Sequence, residues 1–311
     1  MNRRQFAKTL GLGAVSLGMS KPVLPRSDEA PQLAITIDDF NFFRATRAVA
    51  DKRNRALLAA LRAHSNLKTA AFICGRNIDS EMGKSLVNDW AKEGHVIANH
   101  TYSHWHYPGH SFEEFAQDLL RGELLIKDFP GFQKFFRFPM LKEGDTADRR
   151  DRMRAFLKRQ GYRIGHVTVD ASDWYIDERL RARLAKDPKV DLTDYRKYYL
   201  DHLWDRAVFY DSLSRKVLGR SVKHTLVIHH NVLNEMFLDD ALSMFQNKGW
   251  KLINAEDAFA DPIFSAAPNI LPAGESIIWA LAKESGKLND VLRYPGEDGE
   301  YEKPKMDKLG L

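Results

Sequence analysis

A chain of 311 residues is long enough for one large α/β domain with a substantial core, or for two smaller domains. Its composition, 44% hydrophobic and 29% charged, excludes a repeat or low-complexity protein, and past the first two dozen residues no apolar run is long enough to span a bilayer. The net charge of +5 traces to Arg3, Arg4, Lys8, Lys21 and Arg26, all ahead of the first acidic residue; the remainder is balanced and gives no charge-based case for nucleic acid.

The chain opens Met-Asn-Arg-Arg-Gln-Phe-Ala-Lys and continues through a short, Gly-rich apolar run, Thr9 to Met19. That order resembles a twin-arginine export signal, with the apolar run too short for a stable anchor. The resemblance implies a signal over residues 1–30, passage of the folded chain through the twin-arginine machinery, and a periplasmic or secreted location. No clean small-x-small cleavage site marks the mature start, which falls between about Ser20 and Pro31.

From Gln32 onward, short β-like runs alternate with longer helical patterns. Leu33–Ile37 is the first expected strand and Arg44–Ala63 the first helix; Thr69–Cys74 and Ser80–Lys92 repeat the pair, and His95–Ala98 is a third strand. Ser111-Phe-Glu-Glu114 reads as a capping box opening a helix to about Lys127. Lys134–Phe138 is extended, Ala147–Gln160 helical, and Ile164–Asp170 and Thr225–Ile228 are strands. A helix over Asn234–Asn247 and a strand at Trp250–Ile253 complete the pattern. Such alternation predicts a parallel sheet, doubly wound or closed into a barrel. Between Trp174 and Lys223 lies a charged, aromatic-rich, helical insertion, read as helices packing their own aromatic stripe or as a wall over a substrate groove. Residues 262–311, with five prolines, read as a wrapping or partly disordered extension. The lone cysteine, Cys74, excludes an intrachain disulfide and sits in an apolar run as a core thiol.

Candidate chemistry falls at the C-terminal ends of the expected strands, where parallel α/β folds build their sites. His100-Thr-Tyr-Ser-His104 places two imidazoles four residues apart, able to share one cation, and Asp38-Asp39 ends the first strand. Two adjacent carboxylates after an apolar strand are costly to bury without partners. Two His and an Asp with an open coordination position form a hydrolytic pattern, in which the metal acidifies water and polarises a carbonyl.

In chain order these segments are Thr-Ile-Asp-Asp at 36–39, His-Thr-Tyr-Ser-His at 100–104, Arg-Phe-Pro at 137–139, Asp-Ala-Ser-Asp-Trp at 170–174 and Leu-Val-Ile-His at 226–229. Together they resemble the five ordered motifs of the NodB-homology polysaccharide deacetylases, carbohydrate esterase family four. The resemblance implies a distorted (β/α) barrel over residues 31–261, with the helical insertion between the fourth and fifth motifs. It implies that Asp39, His100 and His104 hold a divalent metal, Zn²⁺ first, with Co²⁺ or Ni²⁺ compatible with the same donors. It makes Asp38 the general base, His229 the general acid, Arg137 the partner orienting Asp38, and Asp173 the carboxylate that favours a protonated His229. Trp174, Pro139 and Tyr102 are assigned to substrate binding. A backbone N–H near Pro139-Met140 would join the metal in stabilising the oxyanion.

The chain departs from the family pattern in places. Ile37 stands where Phe is usual, and Met140-Leu141 where Tyr-Gly usually follows the proline. The acid position is doubled as His229-His230; His229 directly follows the strand, and His230 is the alternative on the opposite face. The implied reaction is deacetylation of an extracytoplasmic acetylated glycan, releasing acetate. An O-acetyl ester or a small amide is the alternative substrate, and a glycan-binding protein without activity the alternative class.

Overall fold

The computed structural model describes residues 30–42, 45–293 and 299–311. The export signal expected over residues 1–30 lies outside the described residues, save for its last position.

Nine strands are present among the described residues: β1 (Gln32–Asp39), β2 (Ala70–Ile73), β3 (Val96–Asn99), β4 (Phe132–Phe136), β5 (Lys142–Gly144), β6 (Arg163–Ile164), β7 (Lys223–His229), β8 (Lys251–Leu252) and β9 (Ala273–Gly274). Seven form one parallel sheet in the order β6-β4-β3-β2-β1-β7, with β8 pairing the start of β1. The central strands are buried along almost their whole length, as a parallel sheet covered on both faces requires. Helices Arg47–Ala63, Glu81–Lys92, Phe112–Ile126, Ala147–Arg159 and Val232–Asn247 follow the strands. Each begins at a side-chain cap: Thr46, Ser80, Ser111, Thr146 and Asn231 accept from backbone N–H groups inside their helices. The capping box at Ser111 and Glu114 is present in full.

The sheet curls into a distorted barrel. The run expected as one strand, Ile164–Asp170, pairs only near its ends. Gly165 N–H donates to Phe136 O at 2.7 Å, and Val169 N–H to Thr225 O at 2.9 Å on the far side of β7. The intervening residues cross the gap between the two edge strands instead of lying along either. Glycine is required where the crossing begins, because a Cβ on Gly165 would sit 2.3 Å from the Phe72 ring that fills the interior.

The insertion forms two helices, Asp173–Lys186 and Thr193–Leu218; Tyr195, Tyr199 and Tyr210 of the second are buried in the core. After Asp261 the chain wraps back over this side of the barrel. β9 pairs antiparallel with β5, helix Ile277–Ser285 packs on helix Thr193–Leu218, and helix Lys303–Leu309 is followed by Leu311, whose backbone oxygen accepts from Arg179.

Candidate active site

Strand alternation would send Asp38 and Asp39 to opposite faces. The backbone instead leaves the extended region at Asp39 (φ 75°) and Phe40 (φ 51°), and both carboxylates meet His100. His100 Nε2 lies 3.8 Å from Asp38 Oδ2 and 3.6 Å from Asp39 Oδ1. His104 closes the group, with Nε2 at 3.2 Å from Asp39 Oδ1. Thr101 and His104 also hold positive φ, 64° and 55°, stabilised by a hydrogen bond from His104 N–H to Thr101 Oγ1. Backbone strain of this kind persists only where the surroundings enforce it.

Asp39, His100 and His104 bring one ligand atom each within 4.8 Å of one another. They fit a divalent cation chemically as well. His100 Nδ1 faces the carbonyl of Arg137 at 2.9 Å, so this nitrogen carries the proton and Nε2 the lone pair. Asp39 Oδ1 is buried, faces two imidazole nitrogens, and accepts no hydrogen bond among the described residues. Burial pushes the His100 imidazolium down to about 4, against the pull of Asp38, and so favours the neutral ring. Burial opposes ionisation of Asp39, but His104, His229 and His100 together outweigh it and hold the carboxyl far below the usual range. A carboxylate and two imidazoles in a solvent-screened pocket are borderline donors for such an ion.

Asp38 is held from the other side. Arg137 Nη1 donates to Asp38 Oδ1 at 2.6 Å and to Thr36 Oγ1 at 2.9 Å, while its Nε donates to Gly165 O at 2.9 Å. The guanidinium lies over the Phe72 ring, 3.8 Å from its centroid. Arg137 is 1% exposed and Asp38 3% exposed, so this ion pair is desolvated at both ends.

Across the barrel mouth, β7 sets the second half of the site. Asp38 and His229 are register partners on adjacent strands. His229 Nδ1 lies 2.7 Å from Asp173 Oδ1; the other carboxylate oxygen accepts from His229 N–H, Asn231 Nδ2 and Asn234 Nδ2 at 2.7–3.0 Å. Asp173 is fully buried, and four donors meet its two oxygens. The imidazole therefore carries its proton on Nδ1 and keeps Nε2 for the cavity. His230 is different: it is buried against Phe40, Phe42 and Trp90, neither ring nitrogen has a hydrogen-bond partner among the described residues, and burial pushes it down to about 3.

A cavity of about 450 Å³ opens beside this group, lined by Asp39, His229, Trp174, Asn41, Glu178 and Arg181 among others. Trp174 stands in its wall. Tyr102 and Pro139 are not among its described lining residues. The Tyr102 hydroxyl donates to Asp79 and its ring lies under Arg121, while Pro139 is buried at the start of a tight turn. That turn holds Met140 and Leu141 at φ 54° and 56°, a conformation costing non-glycine residues about 1 kcal/mol each.

The spacing of the motifs gives no signal for Asn231, Asn234 or Glu275, and places Asp170 only as the first residue of the fourth. Asn231 and Asn234 fix Asp173, and only Asn234 is legible beforehand, as a helix start. Asp170 is fully buried with no hydrogen-bond partner at either oxygen among the described residues, and burial together with Glu275 raises it to about 7. Glu275 itself comes from the distant C-terminal segment.

A family model described as polysaccharide deacetylase matches residues 26–165. A curated peptidoglycan-N-acetylglucosamine deacetylase of Bacillus cereus is 23% identical over 235 residues, 73% of this chain and 68% of the relative. Among solved structures, a polysaccharide deacetylase from Bacillus cereus superposes with a TM-score of 0.51 at 17% identity, over 72% of this chain and 91% of the other. A peptidoglycan deacetylase from Bacillus subtilis gives 0.49 at 17% identity, over 74% and 90%. The first of these structures shares the curled, mostly parallel sheet.

Proposed function

We propose that the chain is a polysaccharide deacetylase, a hydrolase of carbon–nitrogen bonds other than peptide bonds, and that it removes N-acetyl groups from an extracytoplasmic glycan; the family-model match over residues 26–165 supports this reading. The observation that carries the proposal is the convergence, at the mouth of one barrel, of a buried Asp38–Arg137 pair, the Asp39–His100–His104 group and the His229–Asp173 pair.

Each group has a task its surroundings suit. Asp38 takes a proton from the attacking water: Arg137 occupies Oδ1, and Oδ2 faces His100. A divalent cation on Asp39, His100 and His104, Zn²⁺ first and Co²⁺ or Ni²⁺ also suited, would polarise the acetyl carbonyl and acidify that water. Water oxygen adds to the carbonyl carbon, the C–N bond breaks, and the departing nitrogen takes a proton from His229 Nε2. Asp173 holds His229 in the required tautomer and stabilises its charged form. Acetate leaves, and the sugar keeps an amine that becomes cationic in water. The backbone N–H of Met140 adds stabilisation for the oxyanion.

Trp174 offers a stacking face for a sugar ring in the cavity wall. The curated relative acts on peptidoglycan N-acetylglucosamine, and a polymer of that sugar is the first substrate to try. Residues 31–261 form the catalytic unit, delivered to the periplasm or the medium by the twin-arginine signal at 1–30. Acetate release from a panel of N- and O-acetylated glycans, with chelator-stripped protein before and after Zn²⁺ loading, tests this. Metal-dependent release from an N-acetylated glycan supports it. Release from O-acetyl esters alone would replace amide with ester chemistry, and silence with metal bound would end the glycan reading.

A further inference from the structure

We propose that residues 273–293 and 299–311 of the C-terminal segment act as straps that position the chemistry from behind, the former gripping the oxyanion-side turn at Leu141 and the latter the acid-side loop at Ser172. The proposal rests on the deacetylase reading only for what the gripped residues do. The grips themselves are geometric.

The first grip is a buried relay. Glu302 is 1% exposed, and its Oε2 lies 3.4 Å from His202 Nδ1. His202 Nε2 accepts the Ser172 N–H at 2.9 Å. Arg206 ties both ends, with Nη2 at 3.1 Å from Glu302 Oε1 and 3.5 Å from Ser172 Oγ, and Tyr198 donates to Glu302 Oε2 at 2.5 Å. Ser172 immediately precedes Asp173, the carboxylate that orients His229. A carboxylate near the end of the chain thus fixes the tautomer of His202, and His202 fixes the backbone from which Asp173 projects. Burying this glutamate would be costly without the Arg206, His202 and Tyr198 groups that surround it.

The second grip is backbone to backbone. Glu275 N–H donates to Leu141 O at 3.1 Å, β9 pairs Gly274 with Lys142, and Lys142 Nζ reaches the Glu275 carboxylate. A Cβ on Gly274 (φ 125°) would lie 1.9 Å from Leu141 O, so only glycine permits this approach. The contact falls on the turn in which Met140 and Leu141 adopt left-handed backbone without glycine. This strap supplies the outside restraint that such a turn needs.

The test uses the full chain and two variants, Glu302→Gln and His202→Phe. In ¹⁵N-histidine spectra of metal-free protein, the His229 Nδ1–H signal should be sharp in the wild type and exchange faster in both variants. On the substrate found above, kcat should fall about tenfold in Glu302→Gln and up to about a hundredfold in His202→Phe, with KM changed by less than about twofold. If His202→Phe does not fold, Glu302→Gln, which keeps an acceptor at the same place, decides alone. A wild-type His229 signal and kcat in Glu302→Gln overturn the strap. A wild type silent on every glycan defeats the deacetylase reading instead, and the His229 signal then still tests the strap without substrate.

Discussion

The two halves of the site are built in opposite ways. The half around Asp39, His100 and His104 is local: each residue ends a strand or follows it within five positions, and neighbouring strand ends hold the rest. The half around His229 is assembled from remote chain: Asp173, His202 and Asn234 come from three inserted or flanking helices, and Glu302 from the C-terminal segment. The match to the family model stops at residue 165, before the second half begins.

The sharpest way to break this contrast is to strike the local half. His104→Ala should abolish both bound metal and acetate release, read by metal analysis and turnover. Asp38→Asn should keep the metal and lose about 10²- to 10⁴-fold in turnover; activity near that of the wild type would remove Asp38 from the role of base. Asp173→Asn should leave metal binding unchanged and lower kcat by about 10²-fold, because an amide no longer favours the charged imidazole. Arg137→Met tests stability at the junction: it strands a buried carboxylate and should cost about 3–5 kcal/mol in denaturant unfolding.

The smallest effect concerns Asp170, whose folded pKa is raised from 3.8 to about 7 by burial and then by Glu275. Below its unfolded value the carboxyl is neutral in both states, and the fold keeps its full stability. As pH rises through about 7, the folded chain must hold a buried charge, and stability falls. Asp170→Asn should therefore melt higher than wild type near pH 8, by on the order of 3 kcal/mol, with the gain gone near pH 4. A constant difference across that range would show that Asp170 is not the titrating group.

What could be read beforehand follows the same division. Apolar runs, helix caps and the spacing of His100 and His104 located the strands, their ends and the ligand group, because each signal spans a few residues. Alternation placed His229 and His230 on opposite faces but could not say which face Phe42 and Trp90 would cover. Nothing near Glu302 or Glu275 announced a partner more than a hundred residues away. The run from Ile164 to Asp170 is apolar enough for a strand; the curl of the sheet, a property of the whole barrel, makes it a crossing instead.

The pairing of Asp38 with His229 has one more consequence. Adjacent strands sit about 4.8 Å apart because of backbone hydrogen bonding, whatever side chains they carry. The proposed proton acceptor and proton donor are therefore spaced by a ruler that substitution cannot easily recalibrate. The cavity walls can be redrawn for a different sugar, ester or amide while that interval stays fixed, so substrate range and chemical competence are free to change independently.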